Sequence, residues 1–239
     1  MVKRQASERL TIDSFDEKSF DSFLSIPGSI PAPGLVMIPE MYGITQPLRE
    51  IAARYAQRGF LVSLVDILWR LGPSIELTYD KEGWRRASDY HRDFDYELGS
   101  KDVQAVVAQL RGRSECNGKV GVVGFCLGGT VAYLAMAHTD ADAAVGYYGT
   151  RIHNFLDAAA RIRRPLMLHF GGRDHTTPPE IMDRIAPALE GNDQIIIHVH
   201  AEAGHAFTNH FRPDRYNAAA TQRADEETFS FFRRTLEAP

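Results

Sequence analysis

GVVGFCLGGTVAYLAMAH, residues 121–138, is the stretch on which the fold turns. An apolar run of strand composition ends in glycine, phenylalanine, cysteine, leucine and two further glycines, and helical composition follows at once. A strand that closes on Gly-x-Cys-x-Gly and becomes a helix has the geometry of a nucleophile elbow, whose central residue is strained outward above a sheet. Gly124 and Gly128 fit that turn because it brings backbone segments together where a side chain would collide. The helix that begins after Cys126 offers free N–H groups and a positive dipole end, which favour a thiolate and later an oxyanion. A buried, inert cysteine is the competing reading of the same residue.

Outward from this turn, strand-like runs recur at residues 34–40, 60–67, 119–125, 143–149, 165–172 and 194–201. Most are apolar without clean alternation, as strands buried on both faces should be. Helical patterns separate them: QPLREIAARYAQRG, SKDVQAVVAQLRGR, GGTVAYLAMAH and PPEIMDRIAPALEG, with ADEETFSFFRRTLEA at the C-terminal end. Alternating strand and helix predicts an α/β fold, a mostly parallel sheet covered by helices on both faces. Residues 68–100 are long, aromatic, charged and irregular, the composition of a lid or pocket wall. No repeat or Pro/Ser-rich linker divides the chain, so residues 1–239 read as one domain.

Composition narrows the partners. Twenty-seven basic and 31 acidic residues, a net charge of −4, are mixed along the chain without the basic stripe a phosphate backbone requires, which argues against nucleic acid. The polar MVKRQASERLTIDSF start lacks a signal-peptide core, and no apolar run approaches the roughly 20 residues of a membrane span. A cytoplasmic protein with no membrane partner is expected, and Cys116 and Cys126 read as free thiols.

A nucleophile needs a base, and the base an orienting acid. Asp174, in HFGGRDHTTP, lies just beyond a strand in a glycine-rich loop, and His205, in HAEAGHAF, follows the last strand. The order Cys, Asp, His along the chain is that of the α/β-hydrolases, each residue at the carboxyl end of a parallel strand. His198 and His200 alternate on a strand, but no carboxylate or cysteine completes a metal set at convincing spacing, so cross-strand packing is expected and no metal. His169 reads as a core histidine.

GFCLGG, VGYYG, HFGGRDH and EAGHAF, together with IPEMYG, resemble the dienelactone hydrolases (carboxymethylenebutenolidases) across about residues 34–235. The resemblance implies an α/β-hydrolase fold, a Cys126–Asp174–His205 triad, and hydrolysis of the enol-lactone dienelactone to maleylacetate in chloroaromatic breakdown, with no cofactor. It implies that Glu40 gates the nucleophile by taking the thiol proton when substrate arrives, which would shield the resting thiol from oxidation. In this scheme the N–H groups of Leu127 and Met41 hold the tetrahedral oxyanion, and Tyr147 and Tyr148 either line the pocket or pack.

The sequence departs from the family at the substrate carboxylate anchor. Members carry an arginine four residues after the catalytic histidine, whereas this chain has Asn209, an amide without charge. Arg85 is the closest match to a second family arginine, Arg86 serves if the register shifts by one, and Arg212 is a further candidate for the anchor. The partner is therefore a small lactone or ester, dienelactone or another, acted on by a monomer or small homo-oligomer. Two other classes share the motif: an amidotransferase, with His200-Ala201-Glu202 as the pair that follows its Gly-x-Cys-x-Gly cysteine, and a non-catalytic scaffold with Cys126 as a redox sensor.

Overall fold

The computed structural model describes residues 7–237. Among them, eight strands form one sheet: β1 (Ser7–Asp13), β2 (Ser19–Ser25), β3 (Ala32–Ile38), β4 (Leu61–Val65), β5 (Cys116–Phe125), β6 (Ala143–Tyr147), β7 (Leu166–Gly171) and β8 (Ile195–His200). Their spatial order is β1-β2-β4-β3-β5-β6-β7-β8. From β4 to β8 all neighbours are parallel, while β1–β2 and β2–β4 are antiparallel. Every residue of β3, β4, β6 and β7 is buried, which is why these strands read as continuous apolar runs. The edge strand β8 is only partly buried, and leaves Ile196 and Val199 exposed.

Among the described residues there are six α-helices: α1 (Gln46–Gln57), α2 (Lys81–Asp93), α3 (Tyr96–Arg111), α4 (Leu127–His138), α5 (Pro179–Glu190) and α6 (Ala218–Leu236). The α1 and α6 side buries Leu48, Tyr55, Phe229 and Phe232 against Leu35, Met37 and Val145. On the other side, Val103, Val107, Val131 and Leu134 of α3 and α4 pack with Val36, Ile38 and Val122. At roughly 1.5–3 kcal/mol for each large apolar side chain removed from water, these two layers are the main driving force of the fold. Beneath the β1–β2 turn, the buried Asp102 of α3 accepts two bonds from Arg70, at 2.8 and 2.9 Å, and one each from Ser14 and Trp69.

Three elements differ from the sequence reading. The hairpin β1–β2 occupies a stretch that reads as merely polar, because its buried apolar residues are only Leu10, Ile12, Phe20 and Leu24, with Ser22 and Ser25 buried beside them. Residues 81–93 are helical, not irregular. Asp80 caps α2 by accepting from Gly83 N at 2.8 Å, yet Gly83 and Ala87 are its only buried residues, so apolar periodicity is faint. The last helix begins at Ala218, where Asn217 caps it by accepting from Ala220 N at 3.0 Å.

Candidate active site

Cys126 stands at the junction of β5 and α4 with φ +56° and ψ −116°, a left-handed conformation that costs a non-glycine residue on the order of 1–3 kcal/mol. The turn holds it there. Cys126 N donates to Tyr147 O of β6 at 3.0 Å, and its carbonyl accepts from Gly129 N at 2.9 Å. A Cβ on Gly124 would lie 1.9 Å from Gly128 O, and one on Gly128 would lie 2.4 Å from Ile38 O, so neither position admits a side chain.

The structure brings Asp174 and His205 to this cysteine. Asp174 follows β7 and His205 follows β8, and His205 Nδ1 donates to Asp174 Oδ2 at 2.8 Å. The other Asp174 oxygen accepts from the backbone N and the hydroxyl of Thr176, each at 2.7 Å. Burial works to raise Asp174, but the His205 hydrogen bond and charge, with the Thr176 bonds, outweigh it and hold the carboxyl below its ordinary value. Burial likewise works against His205, and is overcome by its electrostatic interaction and hydrogen bond with Cys126 and by Asp174, which raise the imidazole to about 10.

Around them lies a cavity of about 200 Å³, its walls including Glu40, Met41, Tyr42, Trp84, His91, Arg212 and Arg215. It is smaller than the roughly 300 Å³ at which drug-sized pockets begin, and so suits a small substrate. Glu40, just beyond the end of β3, is buried, and burial pushes its carboxyl up against the opposing influence of His205, Arg212 and the Tyr79 hydroxyl, which donates at 3.5 Å. Trp84, Ser88 and His91 of α2 form one wall, so residues 68–100 contribute a wall as expected, through a helix. Leu127 opens α4, where the first N–H groups have no partner within the helix.

Several expected contacts are corrected. Arg85 points to solvent, 62% exposed and paired with Glu82 and Asp89, because the cavity face of α2 carries residues 84, 88 and 91. Arg86 is exposed too, and donates to Tyr90. Tyr147 is wholly buried against α6, its hydroxyl bonded to Ala224 O and Thr228, and Tyr148 packs edge-on to His205 with its hydroxyl 2.6 Å from Thr208. Asn209 does not line the cavity; buried, it donates to the Tyr79 hydroxyl at 3.0 Å. Arg212 does line it, and so does Arg215, which sequence reasoning missed although it lies only three residues further on. The Nε of Arg215 is buried with no hydrogen-bond partner, and its nearest carboxylate, Asp214, stands 3.6 Å away. His200 faces His169 across the sheet instead of Cys126, and Glu202 is exposed on Arg173, so these two do not form an amidotransferase pair at the thiol. Among the described residues, one group of metal-ligating side chains comes together, His169, His200 and Glu227, away from this cavity. The carboxylate that β7 and β8 lack is supplied from α6.

The sheet order, the elbow after β5 and the loops after β7 and β8 are those of an α/β-hydrolase. The model of the dienelactone hydrolase family matches residues 20–236. A carboxymethylenebutenolidase of a Pseudomonas species is 34% identical over 229 residues, covering 95% of each chain. One from Pseudomonas putida is 32% identical over 226 residues, covering 94% of this chain and 95% of its own. Among solved structures, the dienelactone hydrolase of Anabaena variabilis superposes with a TM-score of 0.71 at 19% identity, covering 98% of this chain and all of its own. A dienelactone hydrolase-like promiscuous phosphotriesterase from metagenomic libraries gives 0.78 at 22% identity, over 96% and 99%. This chain belongs to the dienelactone hydrolase family.

Proposed function

We propose that the protein hydrolyses a small enol-lactone that carries a carboxylate, dienelactone to maleylacetate being the reference reaction, with Cys126 as nucleophile. The observation that carries this reading is the cavity itself, where a thiol and an Asp-oriented imidazole share one small space with Arg212 and Arg215. Two guanidiniums beside a thiol suit an anionic acyl substrate, because arginine binds carboxylate through charge-assisted and often paired hydrogen bonds. They take over the part that Asn209 leaves open.

The Cys126 thiolate adds to the lactone carbonyl, and the N–H groups of Leu127 and Met41 receive the oxyanion. Collapse of the tetrahedral adduct breaks the ring C–O bond and expels an enolate, a better leaving group than an alkoxide; the enolate takes up the proton that Glu40 removed from the thiol, and a thioester remains. Once the sulfur is acylated, the influence of Cys126 that raises His205 is gone, and the Asp174-oriented imidazole serves as general base. It then takes a proton from water, whose oxygen attacks the thioester, and the product acid and thiol are released.

Glu40 serves as the gate on the thiol. A carboxyl whose pKa is raised by burial is a stronger base than an exposed one, and so better matched to taking the proton of Cys126. Purified protein and Cys126→Ala are compared on dienelactone isomers, simple lactones and aryl acetates by kcat/KM. Loss of all turnover in the variant, with preference for the carboxylate-bearing lactone in the parent, is expected. Retained turnover in Cys126→Ala rejects the mechanism. Glutaminase activity points to the amidotransferase class, and rapid oxidation of an inactive protein's Cys126 points to a redox sensor.

A further inference from the structure

On the α6 side of the sheet, ring nitrogens of His169 on β7 and His200 on β8 and a carboxylate oxygen of Glu227 on α6 all lie within 4.8 Å of one another. His169 Nδ1 is 3.1 Å from His200 Nε2 and 3.7 Å from Glu227 Oε2. Ligands about 2.0–2.1 Å from a tetrahedral zinc ion stand about 3.3–3.4 Å apart, a spacing these distances bracket.

The hydrogen bonds around His169 fix which of its nitrogens carries the proton. Tyr147 donates its hydroxyl proton to Ala224 O at 3.3 Å, so the 2.7 Å contact with Thr228 is filled by the Thr228 proton. Thr228 Oγ1 is then an acceptor for His169 Nε2–H at 3.1 Å, which leaves Nδ1 unprotonated, its lone pair accepting from His200 Nε2 on the side that faces Glu227. A histidine held by a hydrogen bond at its far nitrogen is the arrangement that metal-ligating imidazoles show. Glu227 Oε2 is buried with no hydrogen-bond partner. His198, stacked on His169 at 5.2 Å, flanks that oxygen with its Nδ1 at 3.4 Å.

We propose that His169, His200 and Glu227 form a binding site for a divalent transition-metal ion of the zinc class. Two imidazoles and one carboxylate select such an ion over calcium or magnesium, which prefer all-oxygen shells. An open cavity of about 310 Å³ reaches His200, one of the three ligands. On binding, His200 shifts its proton from Nε2 to Nδ1, so the hydrogen bond to His169 is exchanged for two metal–nitrogen bonds. The ion ties β7, β8 and α6 together behind the active site. His169 and His200 each lie five residues before a member of the proposed triad, Asp174 and His205, so the site braces the two strand ends that carry them.

The test is a cobalt(II) titration of untagged, chelator-treated protein carrying Cys126→Ala, so that the active-site thiol takes no ion. Saturation at one equivalent, with the visible absorption of tetrahedral cobalt, displacement by zinc(II) and a rise in melting temperature, is the expected result. Glu227→Gln and His200→Asn, checked for folding by circular dichroism, abolish the absorption. Thr228→Val, which touches no ion, weakens binding about 10- to 100-fold by freeing the His169 ring. The site is overturned by absence of one-equivalent binding, or by binding that survives unchanged in Glu227→Gln and His200→Asn.

Discussion

Replacing Arg212 by glutamine separates substrate recognition from catalysis. The Arg212 side chain is 15% exposed, lies over the Tyr79 ring at 5.4 Å, and has Asp214 as its neighbouring carboxylate at 3.6 Å, beyond hydrogen-bond range. Its donors are therefore available to a substrate carboxylate. A hydrogen bond between charged groups is worth about 1.5–3 kcal/mol, which corresponds to a factor of about 10 to 150 in kcat/KM. The substitution also loses packing on Tyr79 and removes one of the charges that oppose the rise of Glu40, effects felt by every substrate. Those common losses cancel in the ratio of kcat/KM for dienelactone to that for a neutral aryl acetate, measured side by side by stopped-flow or continuous absorbance. That ratio should fall at least tenfold in Arg212→Gln and recover in part in Arg212→Lys. A ratio within twofold of the parent, with both rates reduced together, would refute the anchor role and leave Arg212 a packing residue.

Three further outcomes follow from the geometry. Glu40→Gln should leave the slow alkylation of Cys126 by iodoacetamide in the resting protein unchanged and abolish its acceleration by a substrate analogue; equal acceleration in parent and variant removes Glu40 from proton transfer. Gly128→Ala places a methyl 2.4 Å from Ile38 O and 2.7 Å from Pro39 O, the carbonyls that lead into Glu40. It should cost about 1–3 kcal/mol in urea unfolding together with most of kcat/KM, and a variant as stable and active as the parent contradicts the close approach. His91, whose Nε2 lies 2.9 Å from the Tyr96 hydroxyl and 3.0 Å from Thr150 Oγ1, is lowered from 6.5 to about 4, by burial first and then by Arg151. Above pH 6.5 neither the folded nor the unfolded chain binds this proton. Between 6.5 and about 4 only the unfolded chain does, so stability falls as pH drops through that window, by about 2 kcal/mol after allowing for partial exposure. Urea midpoints at pH 7 and pH 5 should differ less in His91→Gln than in the parent, and an equal difference excludes His91 as a source.

The doubly covered strands were legible because burial on both faces leaves a continuous apolar run, as in LVSLV of β4, and glycines mark where β5 must turn. Strands covered on one face were not. In β2, Phe20, Ser22 and Leu24 point inward while Asp21 and Phe23 alternate with them, a pattern too short and too polar to stand out. Helix α2 escaped for a related reason: one of its faces looks into a cavity, and a cavity wall has no need of the leucines and valines that announce a helix. At the site, strand ends predict which residues can meet, and Cys126, Asp174 and His205 do meet. Arg215 and Glu227 come from loops and helices whose placement depends on the whole fold, and no local spacing points to them.

The cavity wall formed by Trp84, Ser88 and His91 belongs to one exposed helix secured mainly through a glycine and an alanine. None of the three residues is in the sheet or in its two apolar layers. Substrate range is therefore a separable trait in this protein: three positions at helical spacing make a small alphabet that can be rewritten in combination, while the elbow, the imidazole and the carboxylate stay as they are.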